Sequence, residues 1–180
     1  MKRMTRVAII TSGGDCQGLN AAIRGVGKAL FQKLENNVEI FGMYAGYRGL
    51  ADGDYKFMEP KDFSGILTEG GTILGTSRQR YIPGKDIIDE NGESMIPAMR
   101  DTYNRLNLDC LVIMGGNGTQ KSAKLIADAG MNVVTLPKTI DNDIWGTDTT
   151  FGFQSAVDIA TNVIDYIHST ACSHGRTFVV

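Results

Sequence analysis

The sequence predicts an α/β fold with a doubly wound, mostly parallel sheet and helices on both faces, on three observations. Short β-rich runs alternate with helical patterns along the chain, which is typical of βαβ units. Two of these runs, residues 110–114 and 133–134, are apolar on both faces, as central parallel strands covered by helices are. The 180 residues are 42% hydrophobic and 21% charged, which suits one globular domain with its own core. The predicted class is therefore Rossmann-like.

The β-rich runs predict five strands, at residues 7–11, 39–44, 109–114, 132–136 and 177–180. Between them, apolar residues recur three or four positions apart and predict amphipathic helices with a buried face, over residues 22–33, 96–106 and 153–167. The stretch 51–92 lacks this periodicity except at 62–67, and we expect an irregular excursion from the sheet there. No repeat or linker divides the chain, so residues 1–180 are expected to form one domain.

Net charge and cysteine usage exclude several classes of function. A formal charge of -2 and a pI near 5.7 give no general attraction to nucleic acid or anionic membranes, so any anion site must be built locally. The three cysteines lie far apart and lack the spacing of a metal site. No apolar run approaches the length of a membrane span, and the start of the chain does not resemble a signal peptide. We expect a cytoplasmic protein that binds neither nucleic acid nor membrane.

Three glycine-rich turns lie at or near predicted strand ends. Ser-Gly-Gly-Asp at 12–15 follows the first strand, and Gly-Gly-Asn-Gly-Thr at 115–119 follows the third. Glycines let a ligand approach the backbone, and the helix that follows offers unpaired N–H groups to an anion. The third turn, at 70–78, ends in two hydroxyls and an arginine, which are groups that clamp phosphate oxygens. We interpret all three as phosphate-binding turns, with plain tight turns as the alternative.

The segment 137–143 packs Lys138, Asp141 and Asp143 into one predicted turn directly after the strand 132–136. Ligands of open parallel sheets sit beyond the carboxyl ends of the strands, although an acidic surface turn would look similar. Phosphate-binding turns combined with a carboxylate cluster indicate phosphoryl transfer. Catalysis of that reaction is mostly positioning and charge neutralisation, with one base for the acceptor hydroxyl.

Five segments, taken together and in this order, resemble the 6-phosphofructokinase family. They are Thr-Ser-Gly-Gly-Asp at 11–15, Gly-Leu-Asn-Ala-Ala-Ile-Arg at 18–24, Gly-Gly-Thr-Ile-Leu-Gly-Thr-Ser-Arg at 70–78, Gly-Gly-Asn-Gly-Thr at 115–119 and Pro-Lys-Thr-Ile-Asp-Asn-Asp at 137–143. The resemblance implies that residues 1–180 are the family's N-terminal nucleotide-binding domain, and we expect a truncation before the second, sugar-phosphate domain. It implies a glycolytic kinase that transfers a phosphoryl group from ATP to the 1-hydroxyl of fructose 6-phosphate, with Mg²⁺, as a homo-oligomer that is allosteric.

The resemblance also assigns roles to individual residues. It places seven residues in the donor site: Gly14, Arg78, Gln79, Gly116, Asn117, Gly118 and Thr119. Asp141 matches the family's proton acceptor, Thr139 would meet fructose 6-phosphate beside it, and Asp143 would support the catalytic loop or the metal. Arg176 matches an arginine that reaches the sugar phosphate in the site of a neighbouring subunit. Arg24 resembles a position that contacts the effector in some bacterial members, and a plain surface arginine is the alternative.

Two departures from the family pattern leave alternatives open. Asn117 stands where ATP-using members have an aspartate that approaches magnesium, so we expect weaker metal binding there. Gly118 resembles ATP users, whereas many ATP users have glycine at the position of Lys138, so pyrophosphate is the alternative donor. Lysine combined with Gly118 nonetheless resembles a branch of the family that uses ATP. A catalytically weak nucleotide-binding or regulatory module is the second alternative. The resemblance implies that the sugar-phosphate domain is not among these 180 residues. We therefore expect the 180-residue chain alone to bind the donor weakly and to have a low turnover rate.

Overall fold

The computed structural model describes residues 3–180, in which eight strands and five α-helices form. The strands are β1 (Thr5–Thr11), β2 (Val38–Met43), β3 (Tyr55–Met58), β4 (Arg80–Ile82), β5 (Asp86–Ile88), β6 (Cys110–Gly115), β7 (Val133–Thr139) and β8 (Phe151–Gly152). The helices are α1 (Leu19–Lys33), α2 (Tyr47–Asp52), α3 (Ile96–Arg105), α4 (Asn117–Asp128) and α5 (Phe153–His174). Short 3-10 turns occupy Pro60–Phe63 and Ile66–Thr68.

The main sheet has the strand order β3-β2-β1-β6-β7-β8 and is parallel except where β3 pairs with β2. From β1 the chain passes through α1 to β2 on one side, and later returns to β6 on the other side of β1. The direction of winding therefore reverses between β1 and β6. In open α/β sheets the crevice at such a reversal is where ligands bind. The predicted doubly wound, mostly parallel sheet is confirmed.

Helices cover both faces of the sheet because the side chains of a strand alternate between faces. In β1, Val7 and Ile9 join the buried cluster to which α1 contributes. Ala8 and Ile10, on the opposite face, join the cluster formed with α2, α3 and α4. The central strand is thus buried on both sides, as its continuous apolar run predicts.

The prediction of an irregular excursion at 51–92 is wrong in part. β3 joins the main sheet as an antiparallel edge strand, with Phe41 of β2 opposite Phe57, and β4 and β5 form a separate hairpin. Phe57 is 55% exposed, and a four-residue edge strand whose two middle residues are exposed carries too little apolar pattern to be read from the sequence. The pattern at 62–67 corresponds to the two 3-10 turns rather than to a helix.

Two predictions about the chain after residue 153 are also wrong. Helix α5 forms, but none of its described residues is buried, and Val163 of its predicted core-facing stripe is 44% exposed. The predicted strand 177–180 does not form, because the described structure brings no strand alongside for its backbone to pair with. Val134 on β7 is 51% exposed. Among the helices of residues 3–180, none is both long and apolar enough to span a membrane.

Candidate active site

A cavity of about 450 Å³ opens at the carboxyl edge of the sheet, where the turn after β1 meets the turn after β6 and the end of β7. Its volume lies within the range of small-molecule sites. Six residues predicted for the donor site line it: Gly14, Arg78, Gln79, Gly116, Gly118 and Thr119. Thr139 and Asp141 line it as well, whereas Asn117, Asp143 and Arg176 do not. The predicted turns and the carboxylate strand end therefore come together at one place.

The first and third glycine turns form one unit. The Gly13 N–H donates to the carbonyl oxygen of Ser77 at 3.1 Å, and the Thr76 hydroxyl donates to that of Gly13 at 2.6 Å. Gly13 has a φ of 87°, a conformation that favours glycine. A Cβ on Gly14 would lie 3.2 Å from a guanidinium nitrogen of Arg78. The absence of a side chain at Gly14 is what lets this cation approach the turn.

The second glycine turn leads from β6 into α4. A Cβ on Gly115 would lie 2.3 Å from the Thr119 Cβ, so this position requires glycine for close packing. A Cβ on Gly118 would meet no atom within 4 Å among the described residues, since Gly118 borders the open cavity. The first N–H groups of a helix have no intrahelical partner, and α4 begins at Asn117. Unpaired N–H groups at the positive end of a helix suit a phosphate.

Nine further residues line the cavity that the sequence-based site assignment does not include: Ser12, Gly13, Asp15, Cys16, Tyr47, Tyr81, Ser122, Lys138 and Ile140. Tyr47 is the most deeply placed of them; its hydroxyl donates to the carbonyl oxygen of Thr119 at 3.0 Å, and its burial raises the pKa of the phenol. Tyr47 follows β2, so its position just after a parallel strand was the available signal. A neutral tyrosine thus joins the β2 side of the cavity to the first turn of α4.

We expect Tyr47→Phe to lower the free energy of unfolding by about 1 kcal/mol, because it removes one buried hydrogen bond without removing the ring. Urea unfolding followed by circular dichroism measures this change. Tyr55→Phe is the matched control, since the Tyr55 hydroxyl has no hydrogen-bond partner within residues 3–180. Equal destabilisation by the two substitutions would contradict the assigned role of the Tyr47 hydroxyl.

Lys138 is a buried cation beside the first glycine turn. The sequence places it in a turn, but β7 continues to Thr139 because Pro137 pairs with β6 and Lys138 with β8. Its ammonium donates to the carbonyl oxygen of Gly14, and the residue is 4% exposed. Burial lowers the pKa of Lys138 and raises that of the neighbouring Cys16 thiol. The wall of the cavity therefore combines a desolvated lysine side chain with a partly buried thiol.

The two predicted catalytic carboxylates lie on the exposed loop after β7. Asp141 borders the cavity, and its backbone N–H donates to the Thr139 hydroxyl at 3.1 Å. Asp143 lies beside the start of α4, where the Asn117 side-chain amide donates to its carboxylate at 3.0 Å and to its carbonyl oxygen at 3.2 Å. Arg176 follows α5 and is exposed. Asn117 and Asp143 are therefore directly bonded to each other.

The residues at this edge fit a magnesium ion only in part. Within residues 3–180, no group of three or more His, Cys, Asp or Glu side chains could hold a metal ion. Magnesium in phosphoryl-transfer sites is usually held by one or two carboxylates together with substrate phosphates and water. Asp141 borders the cavity, and Asp143 follows it by two residues on the same loop. The arrangement suits an ion that arrives with a phosphorylated donor.

A sequence model of the phosphofructokinase family matches residues 6–180. The chain belongs to the phosphofructokinase family. It is 58% identical to an ATP-dependent 6-phosphofructokinase of Spirochaeta thermophila, over 96% of this chain and 47% of the relative. It is 53% identical to one of Propionibacterium freudenreichii, over 95% of this chain and 45% of the relative. This phosphofructokinase chain thus spans about half the length of the curated relatives it matches.

Solved phosphofructokinase structures share the fold. The enzyme of Saccharomyces cerevisiae superposes with a TM-score of 0.77 at 31% identity, over 96% of this chain and 25% of that chain. A pyrophosphate-dependent phosphofructokinase of Marinobacter aquaeolei superposes with a TM-score of 0.66 at 19% identity, over 83% of this chain and 37% of that chain. At that identity the second likeness shows only the fold.

Arg24 of this phosphofructokinase chain, which resembles an effector contact, donates to the carbonyl oxygen of Phe63 at 2.9 Å. It thereby ties α1 to the 3-10 turn that ends at Phe63. This contact gives Arg24 a packing role within the described chain.

Proposed function

We propose that this chain is the donor-binding part of an ATP-dependent 6-phosphofructokinase. The observation that carries the proposal is the cavity in which two glycine turns, the Arg78 guanidinium and the Asp141 carboxylate meet. A phosphate chain needs backbone N–H groups and a cation, and an acceptor hydroxyl needs a base; this cavity supplies all three. The names of the relatives, ATP-dependent 6-phosphofructokinases, support the same activity.

In the proposed reaction, the 1-hydroxyl oxygen of fructose 6-phosphate forms a bond to the γ-phosphorus of ATP. The bond between that phosphorus and the bridging oxygen breaks, ADP leaves, and Asp141 accepts the hydroxyl proton. Arg78 and the first turn of α4 border the cavity, where they would face the phosphates and oppose their negative charge. Asp143 would support Mg²⁺, which when bound would neutralise charge on the transferring phosphoryl group.

ATP is proposed over pyrophosphate because Gly118 leaves the cavity open beside the phosphate turn. No described atom would lie within 4 Å of a Cβ at this position, so the space is free for the remainder of a nucleotide. Lys138 is the observation that favours pyrophosphate, but its ammonium already donates to Gly14. Parallel assays with ATP and with pyrophosphate, each with fructose 6-phosphate and Mg²⁺, decide between the donors. Turnover with pyrophosphate alone would overturn the proposal.

A nucleotide-binding module without transfer activity is the second candidate, and Asn117 is the observation that favours it. The assay should use the protein as encoded, whether that is this chain or a longer polypeptide. Tight ATP binding in calorimetry without any product from fructose 6-phosphate would support this candidate. Product formation at a rate that depends on Asp141 would reject it.

We infer a homo-oligomer in which Arg176 serves a neighbouring subunit. Arg176 is exposed and lies outside the cavity of its own chain, which supports a contribution elsewhere. Sedimentation measures the oligomeric state. If each site combines Asp141 of one subunit with Arg176 of another, mixing Arg176→Ala subunits with Asp141→Asn subunits should restore part of the activity. No recovery of activity in mixed oligomers would contradict the inference.

We expect Asn117→Asp to make the stability of the protein depend on Mg²⁺. Asn117 donates to Asp143 at 3.0 Å, whereas an aspartate cannot donate and would face a like charge. Without Mg²⁺ the free energy of unfolding should fall by about 1 kcal/mol, because the lost hydrogen bond and the repulsion outweigh the favourable end of the α4 dipole. Thermal unfolding with and without Mg²⁺ measures the effect.

Asn117→Ala is the control for this experiment, since it removes the hydrogen bond without adding a charge. Its loss of stability should not be recovered by Mg²⁺, whereas that of Asn117→Asp should be. If Asn117→Asp leaves both magnesium dependence and turnover unchanged, Asn117 does not govern the metal environment.

A further inference from the structure

The loop that carries both carboxylates has few contacts of its own. Residues 140–150 form no helix or strand, and the side chains of Asp141 and Asp143 are exposed. Within residues 3–180 no hydrogen bond holds the Asp141 carboxylate, and Asp143 is held only by Asn117. The orientation of the Asp141 side chain therefore depends on how the backbone on either side of it is fixed.

Asn142 fixes that backbone from between the two carboxylates. It adopts a φ of 51°, in the left-handed region that asparagine tolerates better than most residues. Its side-chain oxygen Oδ1 accepts the backbone N–H of Thr150 at 2.9 Å, across eight positions of the chain. Because Asn142 is covalently joined to both Asp141 and Asp143, anchoring it restrains both neighbours.

Thr150 closes the same loop at a second point. Its hydroxyl donates to the carbonyl oxygen of Thr139 at 2.7 Å, and the residue is 2% exposed. The next residue, Phe151, begins β8, which pairs with Lys138 of β7. Thr150 thus bonds both to the strand end and to Asn142, and it is anchored where β8 joins the sheet.

We propose that Asn142 and Thr150 form a clasp that positions Asp141 for proton transfer. The term clasp denotes here the two hydrogen bonds from Thr150, one to Asn142 and one to Thr139. Neither residue touches the cavity, so both are positioning residues rather than catalytic ones. The inference rests on the proposed function for its catalytic consequence, whereas the clasp itself is a property of the fold.

Thr150→Val removes the hydroxyl and keeps the shape of the buried side chain, and Thr150→Ser keeps the hydroxyl. In the protein as encoded, we expect Thr150→Val to lower kcat roughly 10- to 100-fold with little change in the KM for ATP, because a misplaced group costs orientation. Thr150→Ser should recover most of the loss. A purely structural role would lower thermal stability in both variants without this split between kcat and KM.

A second readout does not require activity. Trp145 is the single tryptophan of the sequence, lies inside the loop and is 97% exposed. Its time-resolved fluorescence anisotropy therefore reports motion of residues 140–150 on the nanosecond scale. Thr150→Val should shift amplitude from the slow tumbling component to a fast local one, and Thr150→Ser should not.

Asn142 provides an independent pair of variants if Thr150→Val fails to fold. Asn142→Gly keeps the left-handed backbone and loses Oδ1, whereas Asn142→Asp keeps an acceptor oxygen. We expect faster amide hydrogen exchange at Thr150 in Asn142→Gly than in Asn142→Asp.

These experiments test the clasp and the proposed function independently of each other. If anisotropy and exchange change as expected in a protein that lacks kinase activity, the clasp stands and the proposed function fails. If the protein is active, and Thr150→Val and Asn142→Gly leave kcat, anisotropy and exchange unchanged, the clasp is overturned.

Discussion

Asp141→Asn is expected to lower kcat by about 10²- to 10⁴-fold, which is the usual contribution of a positioned general base. The amide keeps the size of the side chain and loses the ability to accept the proton of the sugar hydroxyl. Since Asp141 borders the cavity and makes no side-chain hydrogen bond within residues 3–180, the substitution should leave stability and the KM for ATP nearly unchanged. Steady-state kinetics on the protein as encoded measure both constants.

Asp148→Asn is the matched control. Asp148 lies on the same exposed loop, and it does not line the cavity. Asp148→Asn also removes one negative charge from the loop, but outside the cavity. A general electrostatic effect of the loop charge should therefore appear in both variants. A comparable fall in kcat for Asp148→Asn would show that loop charge, and not proton transfer by Asp141, is being measured.

Gly118→Asp is expected to abolish useful binding of ATP while leaving the fold intact. A Cβ at Gly118 would meet no described atom within 4 Å, so the new side chain would occupy the cavity and not displace the protein. Its carboxylate would face the phosphates, and a like-charge contact costs several kcal/mol, which corresponds to a KM for ATP raised roughly 100-fold or more. Kinetics with ATP and pyrophosphate, together with thermal unfolding, measure the change.

Gly118→Asn separates charge from volume, because asparagine has the size of aspartate without its charge. We expect an intermediate rise in the KM for ATP with this variant. If neither substitution changes ATP kinetics, the nucleotide does not pass over Gly118, and the preference for ATP loses its structural support.

Much of the fold and of the cavity was predictable because parallel strands end at one edge of a sheet. Each motif that follows such a strand is delivered to that edge, whatever separates the motifs in the chain. The glycine turns near Gly14 and Gly118 and the carboxylate of Asp141 therefore meet at one cavity. Local sequence carries this information, since strand periodicity and glycine turns are short-range patterns.

The failed predictions share a different cause. The apolar stripe of α5 indicates which side of the helix favours burial, but not whether another element covers it, and no residue of α5 is buried in the described structure. The strand expected at 177–180 required a neighbour for its backbone, and β3 was missed because a short edge strand is half solvated. All three cases depend on a neighbouring element, which a local pattern does not identify.

By itself, then, the sequence determined the doubly wound sheet, the glycine turns and the carboxylate loop of this phosphofructokinase chain. Only the tertiary structure decided how those parts are held. Lys138 bonds to Gly14 across 124 positions, Tyr47 to Thr119 across 72, and Asn117 to Asp143 across 26. Such bonds depend on strand register and on side-chain placement to a fraction of an ångström, and no short-range pattern in the sequence encodes either.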